Sequence, residues 1–111
     1  MSDNPYTRAK QILRERGWSR GGSQKSDSQV CILAACAAAT GLEPYEWSDL
    51  DPEIVEPLRR IIEEQYGVPQ RKWVPQTPST TAWIWNDDVA QSIDEVETVL
   101  DKAAVAWDER V

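Results

Sequence analysis

Two cysteines, nineteen acidic residues and no histidine bound the chemistry open to this 111-residue chain. Cys31 and Cys36 stand five residues apart in the apolar run "VCILAACAAATGL". On a helix, five steps of about 100° set the thiols roughly 140° apart, too far round the axis to bridge each other. No histidine is present to draw a thiol proton, and a mid-helix position lacks the electropositive N-terminus that lowers a thiol pKa. Both cysteines therefore read as buried free thiols rather than nucleophiles. The same two residues fall short of the four nitrogen or sulfur ligands of a structural zinc site, so no metal is expected. Gly21 and Gly22 do not belong to a G-x-x-x-x-G-K-[ST] phosphate loop, and no other motif calls for a cofactor. Paired carboxylates are what remains for catalysis; a carboxylate hydrolase is the alternative to a chain with no enzymatic role.

Charge is unevenly placed. Residues 1–42 hold six Lys or Arg against three Asp or Glu, and residues 43–111 hold six against sixteen, which gives +3 and −10 and the total of −7. An acidic surface repels phosphate, so nucleic acid is a disfavoured partner. Two nucleic-acid readings stay open as alternatives. Arg8, Lys10, Arg14, Arg16, Arg20 and Lys25 could meet phosphates from the basic part. Glu43, Glu46, Asp49, Asp51, Glu53 and Glu56 could instead imitate them, as an acidic DNA mimic.

Six tryptophans and no phenylalanine form an unusual aromatic set. Tryptophan fills cores and is also enriched at binding hot spots. Trp107 falls in a helical apolar stripe, and Trp18 follows the end of the first helix, where it can fold back as the cap's apolar contact. Trp47 and Trp73 lie among charges and prolines in connecting segments. They are the interaction candidates, with Glu43, Glu46 and Asp49 beside the first of them. The reading that follows is a protein–protein interaction module whose partner is another protein, with a homo-oligomer also open.

The elements that would position these residues are legible from caps and periods. Asn4-Pro5 and Asp51-Pro52 are helix starts, and Gly17, Gly41 and Gly67 are stops. Tyr6, Ala9, Ile12 and Leu13 share one face of a first helix; Ile54, Leu58, Ile61 and Ile62 share one of a third. Between them, Ser26 and Gln29 fit a capping box for an alanine-rich, centrally buried second helix. Ser92 and Glu95 fit another, before the stripe Ile93, Val96, Val99, Leu100, Ala103, Ala104 and Trp107. Pro57 predicts a kink or a separate first turn at 52–56. In "TAWIW", an extended chain would put Trp83 and Trp85 on one face, so a short two-stranded β ribbon is allowed around 71–85. The expected fold is mainly α: one compact four-helix domain with helices at about 5–16, 28–40, 52–66 and 92–107. The longest uncharged apolar run, thirteen residues, is short of the roughly twenty that cross a bilayer. "MSDNPYTRAK" is no secretory signal, so a cytoplasmic protein is expected.

"ERGW" closing the first helix, "CILAACAAATG" in the second, "WND" after a proline-rich connection and "VETVLDKAA" in the last together resemble an uncharacterised family of small proteins from actinobacteria and their phages. In that family R-G-W, C-x-x-x-A, W-N-D and a closing V-x-x-x-L-x-x-A-A recur, while glycine tends to precede the alanine where this chain has Ala34-Ala35. The resemblance implies a phage or host setting and no activity. The residues on its motifs are Arg16, Gly17, Trp18, Cys31, Ala35, Trp85, Asn86 and Asp87. Their places, at helix ends, on the core helix and at the turn before the last helix, imply structural roles, with Trp85 pointing inward and Asn86 or Asp87 accepting from the amides that follow.

Overall fold

A computed structural model of the chain describes residues 4–19 and 29–109. Helix α1, Pro5–Arg16, starts where Asn4 Oδ1 accepts from the amides of Tyr6 and Thr7, and ends at Gly17, whose N–H donates to Leu13. Asn4 is itself buried: its Nδ2 donates to the Ala104 carbonyl at 2.8 Å and to Asp108 at 3.1 Å, pinning the start of α1 to the end of the last helix. Tyr6, Ala9 and Leu13 face the core, and the Tyr6 hydroxyl donates to the Ile54 carbonyl at 2.5 Å.

Helix α2, Ile32–Ala39, is the central element, and every residue from Ile32 to Ala37 is buried. It starts four residues later than the expected bound at 28. Gln29 and Val30 are outside the helix, because Val30 pairs with Trp18 in an isolated parallel bridge: Ser19 N–H donates to Val30 O, and Val30 N–H to Gly17 O, both at 2.9 Å. Cys31, expected inside the helix, is its N-cap, with Sγ accepting from the Ala34 amide at 3.3 Å. Ser26 of the expected capping box, and Arg20 and Lys25 of the basic part, lie outside the described residues.

A 3-10 turn, Pro44–Asp49, follows and packs on α2. Helix α3, Pro52–Tyr66, is capped by Asp51 and runs through Pro57 as one helix, so the separate first turn does not form. Proline there leaves the Glu53 carbonyl without its helical donor, and Glu53 is exposed, where water can supply one. Ile54, Val55, Leu58 and Ile62 are buried.

The ribbon expected around 71–85 is replaced by a fifth α-helix. Thr77 and Thr80 form a capping box around Pro78, and α4, Pro78–Ile84, continues into a π-turn, Trp85–Val89, closed by Ala90 N–H to Trp85 O at 2.8 Å. A helical step of two residues sets Trp83 and Trp85 roughly 200° apart, so they do not share a face. Trp85 is fully buried, its ring 5.2 Å from that of Tyr66, while Trp83 is half-buried. Helix α5, Ile93–Asp108, completes the chain. Its cap is shared differently from the expected box: Ser92 accepts from the Glu95 amide, while the Glu95 carboxylate accepts from Gln91 rather than Ser92. The mainly α architecture and the four expected helices are present; α1 packs on α2 and α5, and α3 on α4 and α5, around one core. Among the described residues, no helix is long and apolar enough to cross a membrane.

Candidate functional site

The π-turn gathers the motif residues. Asn86, fully buried, accepts on Oδ1 from the indole N–H of Trp18 at 2.8 Å and from the Ile32 amide at 3.1 Å. Its Nδ2 donates to the Ser19 carbonyl at 3.0 Å and to the Asp87 carboxylate at 2.9 Å. One amide thereby uses both its acceptor and donor capacity to join the end of α1, the start of α2 and the turn after α4. Asn86 or Asp87 was expected to accept from amides that follow, and Asn86 does not take that role. It accepts instead from residues far earlier in the chain, because the π-turn points its side chain into the core. Trp18, half-buried against the core, is held by this bond rather than only by apolar contact with α1. Gly17, at φ +90°, supplies the bend that brings Trp18 beside Val30; a side chain at that φ is strained.

These contacts tie three segments of the chain to one buried amide. Burial pushes the Cys31 thiol up, against the helix-start amides that favour its thiolate, and burial pushes Cys36 far higher. Both are thiols at neutral pH, and both are free. No group of three or more cysteine or carboxylate side chains comes together as a metal site among the described residues.

Of the cations expected to meet phosphates, Lys10 and Arg14 are committed elsewhere. Lys10 pairs with Asp101 at 3.0 Å and Arg14 with the buried Glu97 at 2.5 Å, so α1 turns part of its positive face onto α5. The Arg14 guanidinium holds the Glu97 carboxyl below the usual range, chiefly through their hydrogen bond. On the acidic side, Glu43 and Glu46 form the capping box of the 3-10 turn, Asp51 caps α3, and Glu56 pairs with Arg59. Asp49 is exposed at the end of the 3-10 turn.

The two interaction candidates part company. Trp47 is half-buried and packs from the 3-10 turn against the core. Trp73 is 96% exposed, and its φ of +68° makes it the one positive-φ residue besides glycine among those described. It is the third residue of a turn that Val74 N–H closes onto Arg71 O at 3.4 Å, a place where positive φ ordinarily selects glycine or asparagine. Sequence reasoning picked Trp73 for its polar, proline-rich surroundings and could not see this strain.

Arg71 anchors the turn that carries it. Its guanidinium lies 5.0 Å over the Trp83 ring and pairs with Asp88 of the π-turn at 2.5 Å. Arg71 and Asp88 were not singled out from sequence, and Trp83 was read only as a neighbour of Trp85 on an extended segment. The WND turn therefore holds two connections at once, Trp18, Ser19 and Ile32 through Asn86 and the 67–77 strap through Asp88.

No curated protein and no solved structure matches the chain. A family model, described as a family of unknown function (DUF6197), matches residues 4–106, which takes in the latch that Asn86 forms with Trp18, Ser19 and Ile32 as well as the strap. The chain belongs to that family.

Proposed function

We propose that this chain is a phage-encoded interaction module that acts in the host cytoplasm by binding a host or phage protein, with Trp73 as its principal contact residue. One observation carries the reading: a tryptophan stands almost wholly in solvent on a turn whose backbone disfavours any side chain. Exposing an indole forgoes the burial that favours folding, and positive φ adds about 1–2 kcal/mol of local cost for a residue with a Cβ. Selection for folding alone removes both, so a contact outside the chain explains their persistence. The anchoring of Arg71 between Trp83 and Asp88 supports it further, since a contact presented in a fixed pose loses less entropy on binding. The absence of an activated nucleophile among the described cysteines favours binding over catalysis. The resemblance to actinobacterial and phage proteins is what supports the setting.

The test is affinity capture of the full chain from an actinobacterial lysate, at low and moderate salt, with Trp73→Ala and Trp47→Ala in parallel. A protein retained by wild type and by Trp47→Ala but lost with Trp73→Ala supports the reading. Equal recovery with Trp73→Ala removes Trp73 from it.

A further inference from the structure

Arg71 sits on its own chain as a guanidinium ligand sits on a receptor. Its Nε donates to one carboxylate oxygen of Asp88 at 2.7 Å and its Nη2 to the other at 2.5 Å, a two-bonded fork that the point charge of a lysine does not reproduce. The guanidinium carbon lies 5.0 Å over the Trp83 ring, where the face of an indole attracts a cation. Asp87 adds negative potential at the same point. Trp83 stands near the end of α4, and the π-turn brings Asp88 round to the same guanidinium five residues later, while it buries Trp85, Asn86 and Asp87. Ring and carboxylate thus sit on helical chain packed against the core, whereas the group that fills them is on the strap. The contact is open to water, with the Arg71 side chain 41% and the Asp88 side chain 37% exposed.

We propose that Trp83 and Asp88 form a binding site for an arginine side chain of another protein, which Arg71 fills from within until an incoming arginine displaces it and releases the strap. The class of ligand is read from what is seated there: a planar cation that bonds a carboxylate with two parallel N–H groups and lies on an indole face. Charge agrees, since residues 43–111 carry a net −10 and draw cations to this part of the chain. Strain favours exchange. Two residues beyond Arg71, Trp73 is held at φ +68° while the guanidinium is seated, so the strap gains freedom when it leaves. Gly67, at φ +82° with open space where a side chain would be, gives the strap a hinge at the end of α3. The site does not rest on Trp73 as a contact residue; that reading can fail and leave it unchanged. It does act on Trp73, whose turn keeps its pose only while Arg71 is seated, so an arginine ligand lowers association through the indole.

The indole N–H resonances of the full chain, followed by proton–nitrogen NMR, test this. The probe is N-acetylarginine methylamide, titrated to about 300 mM at constant ionic strength, with the lysine analogue in parallel. Trp83→Leu and Trp73→Ala assign the two resonances. In Arg71→Ala, where the tethered occupant is removed, the Trp83 indole should shift and saturate with the arginine probe and respond several-fold less to lysine. Adding Asp88→Asn to that variant should abolish the saturation. Wild type should need several-fold more probe than Arg71→Ala, because a tethered side chain competes at an effective concentration in the millimolar range. Its Trp73 resonance should move together with that of Trp83 as the strap departs. No saturation in Arg71→Ala, an equal response to lysine, or saturation that survives Asp88→Asn would overturn the proposal. So would a wild type that binds as well as Arg71→Ala, or a Trp73 resonance that stays in place while Trp83 responds.

Discussion

The indole N–H of Trp18 donates to Oδ1 of Asn86 at 2.8 Å, across 68 positions of the chain. That bond joins the R-G-W and W-N-D motifs, and the Ile32 amide on the same oxygen brings in the helix that Cys31 caps. The motifs are far apart in sequence and share one amide in space.

Removing that amide should be felt globally. Asn86→Ala leaves the buried Ile32 N–H without its acceptor and the Ser19 carbonyl without its Nδ2 donor; at about 1–3 kcal/mol for each such group, a loss of about 3 kcal/mol is expected. Urea unfolding measures it. A change below about 0.5 kcal/mol, the range of ordinary surface substitutions, would show that the latch is dispensable.

Trp85, Trp47 and Trp73 should separate by burial. Trp85→Ala should cost about 3–5 kcal/mol, while Trp73→Ala should stay within about 0.5 kcal/mol. Trp47→Ala, at a half-buried site, should fall between them. Thermal melts of the set give the order, and a large loss with Trp73→Ala would mean its indole is packed in solution.

The turn at Trp73 permits a sharper test. Trp73→Gly should be more stable than Trp73→Ala by about 1 kcal/mol, since glycine adopts positive φ without strain. Denaturant midpoints of the two variants decide it. Both should lose partner binding, so stability and association move in opposite directions at one residue.

The Arg14–Glu97 pair gives a pH dependence of defined sign. Glu97 titrates lower in the folded chain than when unfolded, so the pair stabilises above the ordinary carboxylate range, and that contribution is lost as pH falls through its lowered value. Glu97→Gln should lower the melting temperature at pH 7, and the gap to wild type should close below about pH 4. A gap that persists in acid would point to packing instead.

Much of the fold was legible wherever a cap and a period agreed. Asn4-Pro5 and Asp51-Pro52 opened helices as expected, and the apolar stripes of α1, α3 and α5 faced the core. Thr77-Pro78 is the same kind of start, yet the prolines around it and the alternation in "TAWIW" suggested extended chain. Local hydrogen bonds between Thr77 and Thr80 decided for a helix. The start of α2 was misplaced for the opposite reason: Ser26 and Gln29 satisfied a local pattern, while a long-range pairing of Trp18 with Val30 kept the chain extended. The role of Asn86 depends on a π-turn, which has no period of its own to read. Trp73 was visible as a residue out of place, but its positive φ and the Arg71 anchor exist only in three dimensions.

The contact role of Trp73 is tested most directly by a photo-crosslinking residue at Gln76, exposed on the strap beside Trp73, in cells that express the full chain. A discrete adduct, to another protein or to a second copy, is expected, and it should disappear when Trp73→Ala is added. No adduct, or the same adduct in both proteins, would contradict it.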